Sequence, residues 1–169
     1  MTEPFFRIAR RDEAETILAL YKAVVGMPFC TWDEVYPGMS EIRRDLAAGD
    51  LFVLEADGDI IGAVSIAPEN ELDAPGRWSA CEKAGEFARV VIRPTFQGRR
   101  LARMLVAGVL DEMKKRGCDA VHISVAAENV PAQRTYRHFG FAVVGREEMW
   151  GHSFDLCERR IRSEESTDR

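Results

Sequence analysis

At 169 residues the chain has room for one domain and not for two enzyme domains, and 46% hydrophobic against 30% charged residues excludes intrinsic disorder. A formal net charge of −5 and a pI near 5.3 argue against general affinity for nucleic acid or anionic membranes. No apolar run approaches the ~20 residues of a bilayer span, and Met1, Thr2, Glu3 and Pro4 do not begin a secretion signal, so a cytoplasmic location is expected.

In chain order, a short strand is predicted from Phe5 to Ala9. An amphipathic helix follows, in which Ala14, Ile17, Leu18, Tyr21, Val24 and Val25 recur at helical spacing, with Asp12 near its start. Gly26 to Gly38 reads as a loop. Ser40 is expected to cap a short second helix that packs Ile42 and Leu46 and stops at Gly49. Leu51–Glu55 and Ile60–Ile66 are β-rich runs, and Asp57-Gly58 between them signals a hairpin. Residues 67–84, with Pro68, Asn70, Pro75 and Gly76, read as a long surface excursion.

A third run, Glu86 to Ile92, ends at Arg93-Pro94, where proline stops ladder pairing. After Gly98 comes a helix with Leu101, Met104, Leu105, Val109 and Met113 on one face and Gly117 as its stop. Ala120–Val125 is a buried-type strand. It leads into a helix from Asn129 to about His138 that ends at Gly140, then to two strands, Phe141–Trp150 and Phe154–Ile161, joined across Gly151. Residues 1–162 are expected to form one domain, with the polar residues 163–169 as a frayed tail. This order gives a mixed α/β fold with one sheet, whose central β-α-β unit forces a parallel strand pair by right-handed crossover.

Cys30, Cys81, Cys118 and Cys157 form no CxxC pair, and His122, His138 and His152 form no HExxH, so reduced structural thiols and no metal site are expected. The chemistry concentrates elsewhere. Residues 89–103 hold five arginines (Arg89, Arg93, Arg99, Arg100, Arg103) and no acid. The centre of this window, Gln97-Gly98-Arg99-Arg100-Leu101-Ala102, leaves a strand and opens a helix. Unpaired N–H groups and the helix dipole favour an anion there. Neither a Walker loop nor GxGxxG is present. By itself the run fits a solvated arginine face as well as a phosphate site. A second motif, N-x-x-A-x-x-x-Y-x-x-x-G-F, is formed by Asn129, Ala132, Tyr136, Gly140 and Phe141. Asn129 and Tyr136 stand two turns apart on one helix face.

Together, Val90-Val91-Ile92-Arg93-Pro94, the turn QGRRLA and the NxxAxxxYxxxGF helix resemble the GCN5-related N-acetyltransferases, most sharply from Glu86 to Phe141. The resemblance implies a single mixed, mostly antiparallel sheet with a central splayed parallel strand pair and flanking helices. It also implies acetyl-CoA as co-substrate. Backbone groups of Val90, Val91 and Ile92 would pair with the pantetheine arm. The pyrophosphate would sit on the turn of Gln97, Gly98, Arg99, Arg100, Leu101, Ala102 and Arg103, while Asn129 and Tyr136 would reach the arm and the sulfur. The family pattern has glycine where this chain has Arg100, and a negative φ is expected there.

The implied mechanism is direct attack of an amine on the thioester, with Tyr136 as general acid. Glu86 is the candidate base, against a plain strand glutamate at an exposed edge. Ser124 stands where relatives that acetylate protein N-termini often carry glutamate, which weakens that reading. His122 shares a strand face with Ser124 and is a candidate to line the cleft and relay a proton. Trp32 and Tyr36, with Asp33 and Glu34 beside them, are candidates for holding the amine acceptor, against a loop with solvated acids and a packing tryptophan. The expected function is N-acetylation of a small or amino-acid-like amine. The alternatives are protein or peptide amines, a non-catalytic acyl-CoA sensor, and RNA binding through the arginine window. A homodimer is compatible with the resemblance.

Overall fold

A computed structural model describes residues 2–67 and 78–161. Its elements are β1 (Phe5–Ile8), α1 (Ala14–Ala23), α2 (Met39–Ala48), β2 (Leu51–Ala56), β3 (Asp59–Ala67), β4 (Ala84–Ile92), α3 (Ala102–Lys115), β5 (Ala120–Ala126), α4 (Val130–His138), β6 (Ala142–Met149) and β7 (His152–Arg160). This is the element order read from the sequence. The expected tail, and most of the excursion after β3, lie outside the described residues.

The seven strands form one sheet in the order β1-β2-β3-β4-β5-β7-β6. Neighbours β1–β2, β2–β3, β5–β7 and β6–β7 are antiparallel, and β4–β5 is parallel. The registered parallel ladder runs only from Ala84↔Ala120 to Glu86↔His122. Two hairpins have two-residue turns in which both residues take positive φ: Asp57 and Gly58 at 52° and 83°, Trp150 and Gly151 at 50° and 77°. Such mirror-image turns match the right-handed strand twist.

The chain divides into two compact units, Met1–Ala67 with Ala88–Val109, and Pro68–Phe87 with Leu110–Arg169. In the first, a core of Ile17, Leu20, Tyr21, Ile42, Leu51, Val53, Ala63 and Val91 joins α1 and α2 to the sheet. Gly62 on β3 is required there by space. A Cβ would stand 2.8 Å from the Ile92 side chain and 3.0 Å from the Val91 carbonyl oxygen. In the second, Met113, Cys118, Val121, Ile123, Phe141, Phe154 and Leu156 are buried.

Two start signals differ from expectation. Helix α2 is capped at Gly38, not Ser40, because Ser40 already lies in the first turn. Glu41 reaches back to accept from Gly38 N at 2.9 Å. At α1 the working acid is Glu13 rather than Asp12, which is exposed. The Glu13 carboxylate accepts from Arg10 N at 2.7 Å and pairs with Arg7 at 2.6 Å. The arginine and the backbone hydrogen bond hold Glu13 below its ordinary carboxylate range.

Candidate active site

In the first unit, the turn between β4 and α3 is built for an anion. Gln97 Nε2 donates to Ile92 O at 3.2 Å, and the Arg99 guanidinium lies 5.1 Å from the Phe96 ring centroid, so the turn is braced from both sides. Gly98 has φ 78° and Arg100 has φ 59°. The negative φ expected at Arg100 is therefore wrong. Left-handed residues set one apart turn successive N–H groups to one side, the concave arrangement that binds phosphate. The amides of Gly98, Arg100, Leu101 and Ala102 meet no acceptor among the described residues, whereas Arg99 N closes the turn at residues 97–98 and Arg103 N donates to Arg100 O at 3.2 Å. Four free donors at the entry of a 14-residue helix fit a diphosphate. Arginine at position 100 occupies a conformation that costs about 1 kcal/mol outside glycine.

Arg89 does not belong to this anion site. It sits within β4 at φ 56°, and its side chain is 2% exposed. It donates to Asp45 at 2.8 Å and to the Tyr36 hydroxyl at 3.2 Å, and Asp45 also accepts from Ser65 at 2.8 Å. Asp45 raises the Arg89 guanidinium against its burial. Of the strand residues expected to pair with pantetheine, Val91 and Ile92 are buried and Val90 is partly exposed. The Ile92 carbonyl is already taken by Gln97.

The acceptor candidates divide. Tyr36 is 43% exposed and tied to Arg89, so the sequence loop does present it to solvent. Trp32 instead packs edge-on to Tyr21, centroids 5.4 Å apart, against the core. Asp33 spends its carboxylate on the Val35 and Tyr36 amides, both at 2.8 Å.

In the second unit, Asn129 caps α4. Its Oδ1 accepts from Ala132 N at 3.1 Å, so the side-chain amide group keeps only its N–H donors for a ligand. At the other end Gly140 takes φ 81°, Gly140 N donates to Arg137 O, and Phe141 N donates to Tyr136 O at 3.1 Å. This is the left-handed C-terminal closure in which the two residues flanking the turn make an apolar contact. Here they are Tyr136 and Phe141, with ring centroids 5.9 Å apart. The Y-x-x-x-G-F spacing is thus a helix stop that fixes the tyrosine ring. Phe87 completes the cluster at 5.9 Å from Tyr136 and 6.0 Å from Phe141. Tyr136 has no hydrogen bond among the described residues, and desolvation, with the nearby Cys157 thiol, pushes its phenol well above the usual value.

Glu86 is not the edge-exposed strand acid that the plainer alternative required, for it is 7% exposed. It stands in register with His122, which stands in register with Glu158. His122 is 5% exposed and lies face to face with Trp78, 4.0 Å between centroids. Trp78, Glu158, Asp45 and the burial of Arg89 were not singled out from the sequence. The one available signal was an acid, Glu158, ending the apolar run of β7. Among the described residues no group of three or more His, Cys, Asp or Glu could hold a metal.

Residues 12–141 match the model of the acetyltransferase (GNAT) family. The chain belongs to that family of acetyl-CoA-dependent acetyltransferases. A mycothiol acetyltransferase of Brachybacterium faecium is 36% identical over 100 residues, covering 59% of this chain and 28% of that protein. The chain spans 23–40% of the length of the mycothiol acetyltransferases it matches. The L-amino acid N-acyltransferase MnaT of Escherichia coli is 23% identical over 171 residues, covering 96% of this chain and 95% of that protein. Among solved structures, a Salmonella typhimurium acetyltransferase with its cofactor acetyl-CoA superposes with a TM-score of 0.74 at 18% identity over 99% of both chains. A GNAT-family acetyltransferase from Streptococcus agalactiae gives 0.77 at 20% identity, covering 96% of this chain and 98% of that one. At these identities the structures establish the fold. No described helix is long and apolar enough to cross a membrane.

Proposed function

We propose that residues 1–162 form a cytoplasmic N-acetyltransferase that moves an acetyl group from acetyl-CoA to the primary amine of a small, amino-acid-like acceptor. The observation that carries the reading is the set of free amides of Gly98, Arg100, Leu101 and Ala102 at the start of α3, a diphosphate cradle on a chain of this family. Arg99, Arg100 and Arg103 add positive charge around it, and Val90, Val91 and Ile92 lead the strand toward it. Asn129 N–H donors hold the pantetheine arm.

Acetyl-CoA supplies the acetyl group already activated as a thioester. The protein must take a proton from the acceptor ammonium and give one to the departing sulfur. Glu86 is the base and Tyr136 the acid. A phenol kept protonated by its aromatic surroundings is in the right state to donate. Tyr36, at the exposed end of its loop, contacts the acceptor, and Trp32 holds that loop to Tyr21. The full-length likeness to an L-amino acid N-acyltransferase supports the amino-acid class of acceptor.

The test is thiol release from acetyl-CoA against L-amino acids, polyamines and peptide N-termini, with sedimentation to determine whether the enzyme is a dimer. Release with amino acids and not peptides supports the reading. Binding of CoA without acceptor-dependent release identifies a sensor instead.

A further inference from the structure

We propose that His122 is a positioning residue that relays the acceptor's proton away from Glu86, along a row that ends at Glu158; this rests on Glu86 being the base. The row is set by register. Glu86 on β4 pairs with His122 on β5, and His122 pairs with Glu158 on β7, so the three side chains leave one face of the sheet side by side. His122 Nε2 lies 3.8 Å from a Glu158 carboxylate oxygen. That nitrogen is buried and unpartnered, and neither ring nitrogen makes a hydrogen bond among the described residues. A buried histidine with a structural role has its N–H satisfied, because an orphaned polar group costs about 1–3 kcal/mol. An imidazole left uncommitted between two carboxylates is instead suited to take and pass a proton.

The surroundings direct that transfer along the row. The Trp78 ring covers the imidazole face. Ser79 donates from its amide, at 3.0 Å, and from its hydroxyl to Glu158, which holds that carboxylate in place. Arg160 donates to Ala80 O on the same stretch. The charges acting on His122 are Glu158 and Arg160 on β7; Trp78 lies on its face, and Glu86 is its register neighbour on β4. Burial lowers the imidazole below its ordinary value, Glu158 raises it and Arg160 lowers it, so the ring rests neutral and holds a relayed proton only in passing.

Each step balances. An ammonium N–H bond breaks and the proton joins the Glu86 carboxylate. The resulting carboxylic acid gives the proton to one imidazole nitrogen, which restores the carboxylate. The imidazolium then releases a proton toward Glu158 and solvent, which restores the neutral ring.

The test has two arms. In ring-nitrogen NMR of the unliganded protein, with only three histidines to assign, Glu86→Gln and Glu158→Gln should each lower the His122 midpoint. A midpoint that ignores Glu86→Gln overturns the row. In kinetics with the best L-amino acid acceptor, His122→Gln should cut kcat/KM about tenfold on the acidic side, spare the alkaline side where the amine arrives neutral, and be rescued by added imidazole. Glu158→Gln leaves the ring in place and should act in the same direction by about threefold. An unchanged profile, or loss at all pH values without rescue, overturns the relay. Should Glu86→Gln leave the profile unchanged, the base assignment falls; should it flatten the profile while His122→Gln does not, the relay alone falls.

Discussion

The two units treat their buried polar groups differently. In the first, Arg89 and Asp45 face each other at 2.8 Å with both side chains 2% exposed, and Ser65 and Tyr36 complete the set. That charge is committed to structure: it ties α2, β3, β4 and the loop carrying Tyr36 together. In the second, His122, stacked on Trp78, and the Tyr136 hydroxyl, on a ring beside Phe87 and Phe141, make no side-chain hydrogen bond among the described residues. The difference is one of charge, not of complete satisfaction, since Arg89 Nε and the Tyr21 hydroxyl in the first unit are also buried without a partner. A paired charge holds a shape, whereas the neutral imidazole and phenol keep their protons available for chemistry. Variants in the first unit should therefore be read in stability and variants in the second in rate.

The largest expected effect falls in the first unit. Asp45→Ala leaves Arg89 as an uncompensated buried cation and should cost about 3–5 kcal/mol in urea unfolding. Replacing both partners, Asp45→Leu with Arg89→Met, should recover most of that loss, because a buried pair gains little net over apolar packing of similar volume. A double variant as unstable as the single one would show that Arg89 holds the fold by contacts other than this pair.

The matching experiment in the second unit is Tyr136→Phe. The ring remains against Phe87 and Phe141, so melting should change little, while kcat falls about 100-fold and KM for acetyl-CoA stays near its starting value. Equal turnover by the phenylalanine variant removes Tyr136 from the acid role, and a large drop in melting temperature would move it into the structural class with Arg89.

A smaller effect tests the phosphate turn. Arg100→Gly removes a side chain from a left-handed backbone and should stabilise the protein by up to about 1 kcal/mol, less what glycine gains in the unfolded chain. KM for acetyl-CoA should rise only modestly, since the amides that cradle phosphate remain. A destabilised Arg100→Gly would mean that the guanidinium makes a contact worth more than the strain.

How much of this was legible depends on range. Local signals read well: Asp57-Gly58, Gly49, Gly117 and Gly140 each mark a turn or stop through backbone conformation within a few residues. The placement of Asn129, Tyr136 and Gly140 on one capped helix was legible too, though the physical reason for the Gly-Phe end, a helix closure that pins Tyr136, needed coordinates. What escaped was set by tertiary pairing. Five arginines in one window read as one positive patch, yet Arg89 is drawn inside by Asp45, 44 residues away in sequence. Nothing local distinguishes Arg89 from Arg93. Arg100 was expected at negative φ on intrinsic preference, and the turn geometry outweighed it. Trp78 and Glu158 belong to the row only because Ser79 crosses 79 residues of sequence to reach that carboxylate.

The smallest effect separates the two units by pH. Burial lowers His122 below its ordinary value of 6.5, so below that pH the unfolded chain binds a proton that the folded chain refuses. Stability should fall as pH drops from about 6.5 toward the folded value, by at most about 1.4 kcal/mol per pH unit. Glu13, paired with Arg7, and Glu158, held by Ser79, are lowered from 4.5. Their contribution is complete above that value and is lost only as pH falls through their folded values. A urea titration between pH 6.5 and 5 therefore isolates the histidine of the second unit. His122→Gln should flatten stability in that window and leave the acid limb intact. A wild-type protein equally stable at pH 6.5 and 5 would mean that His122 is protonated as readily inside the fold as outside it. The contrast between committed and uncommitted polar groups would then not extend to this ring.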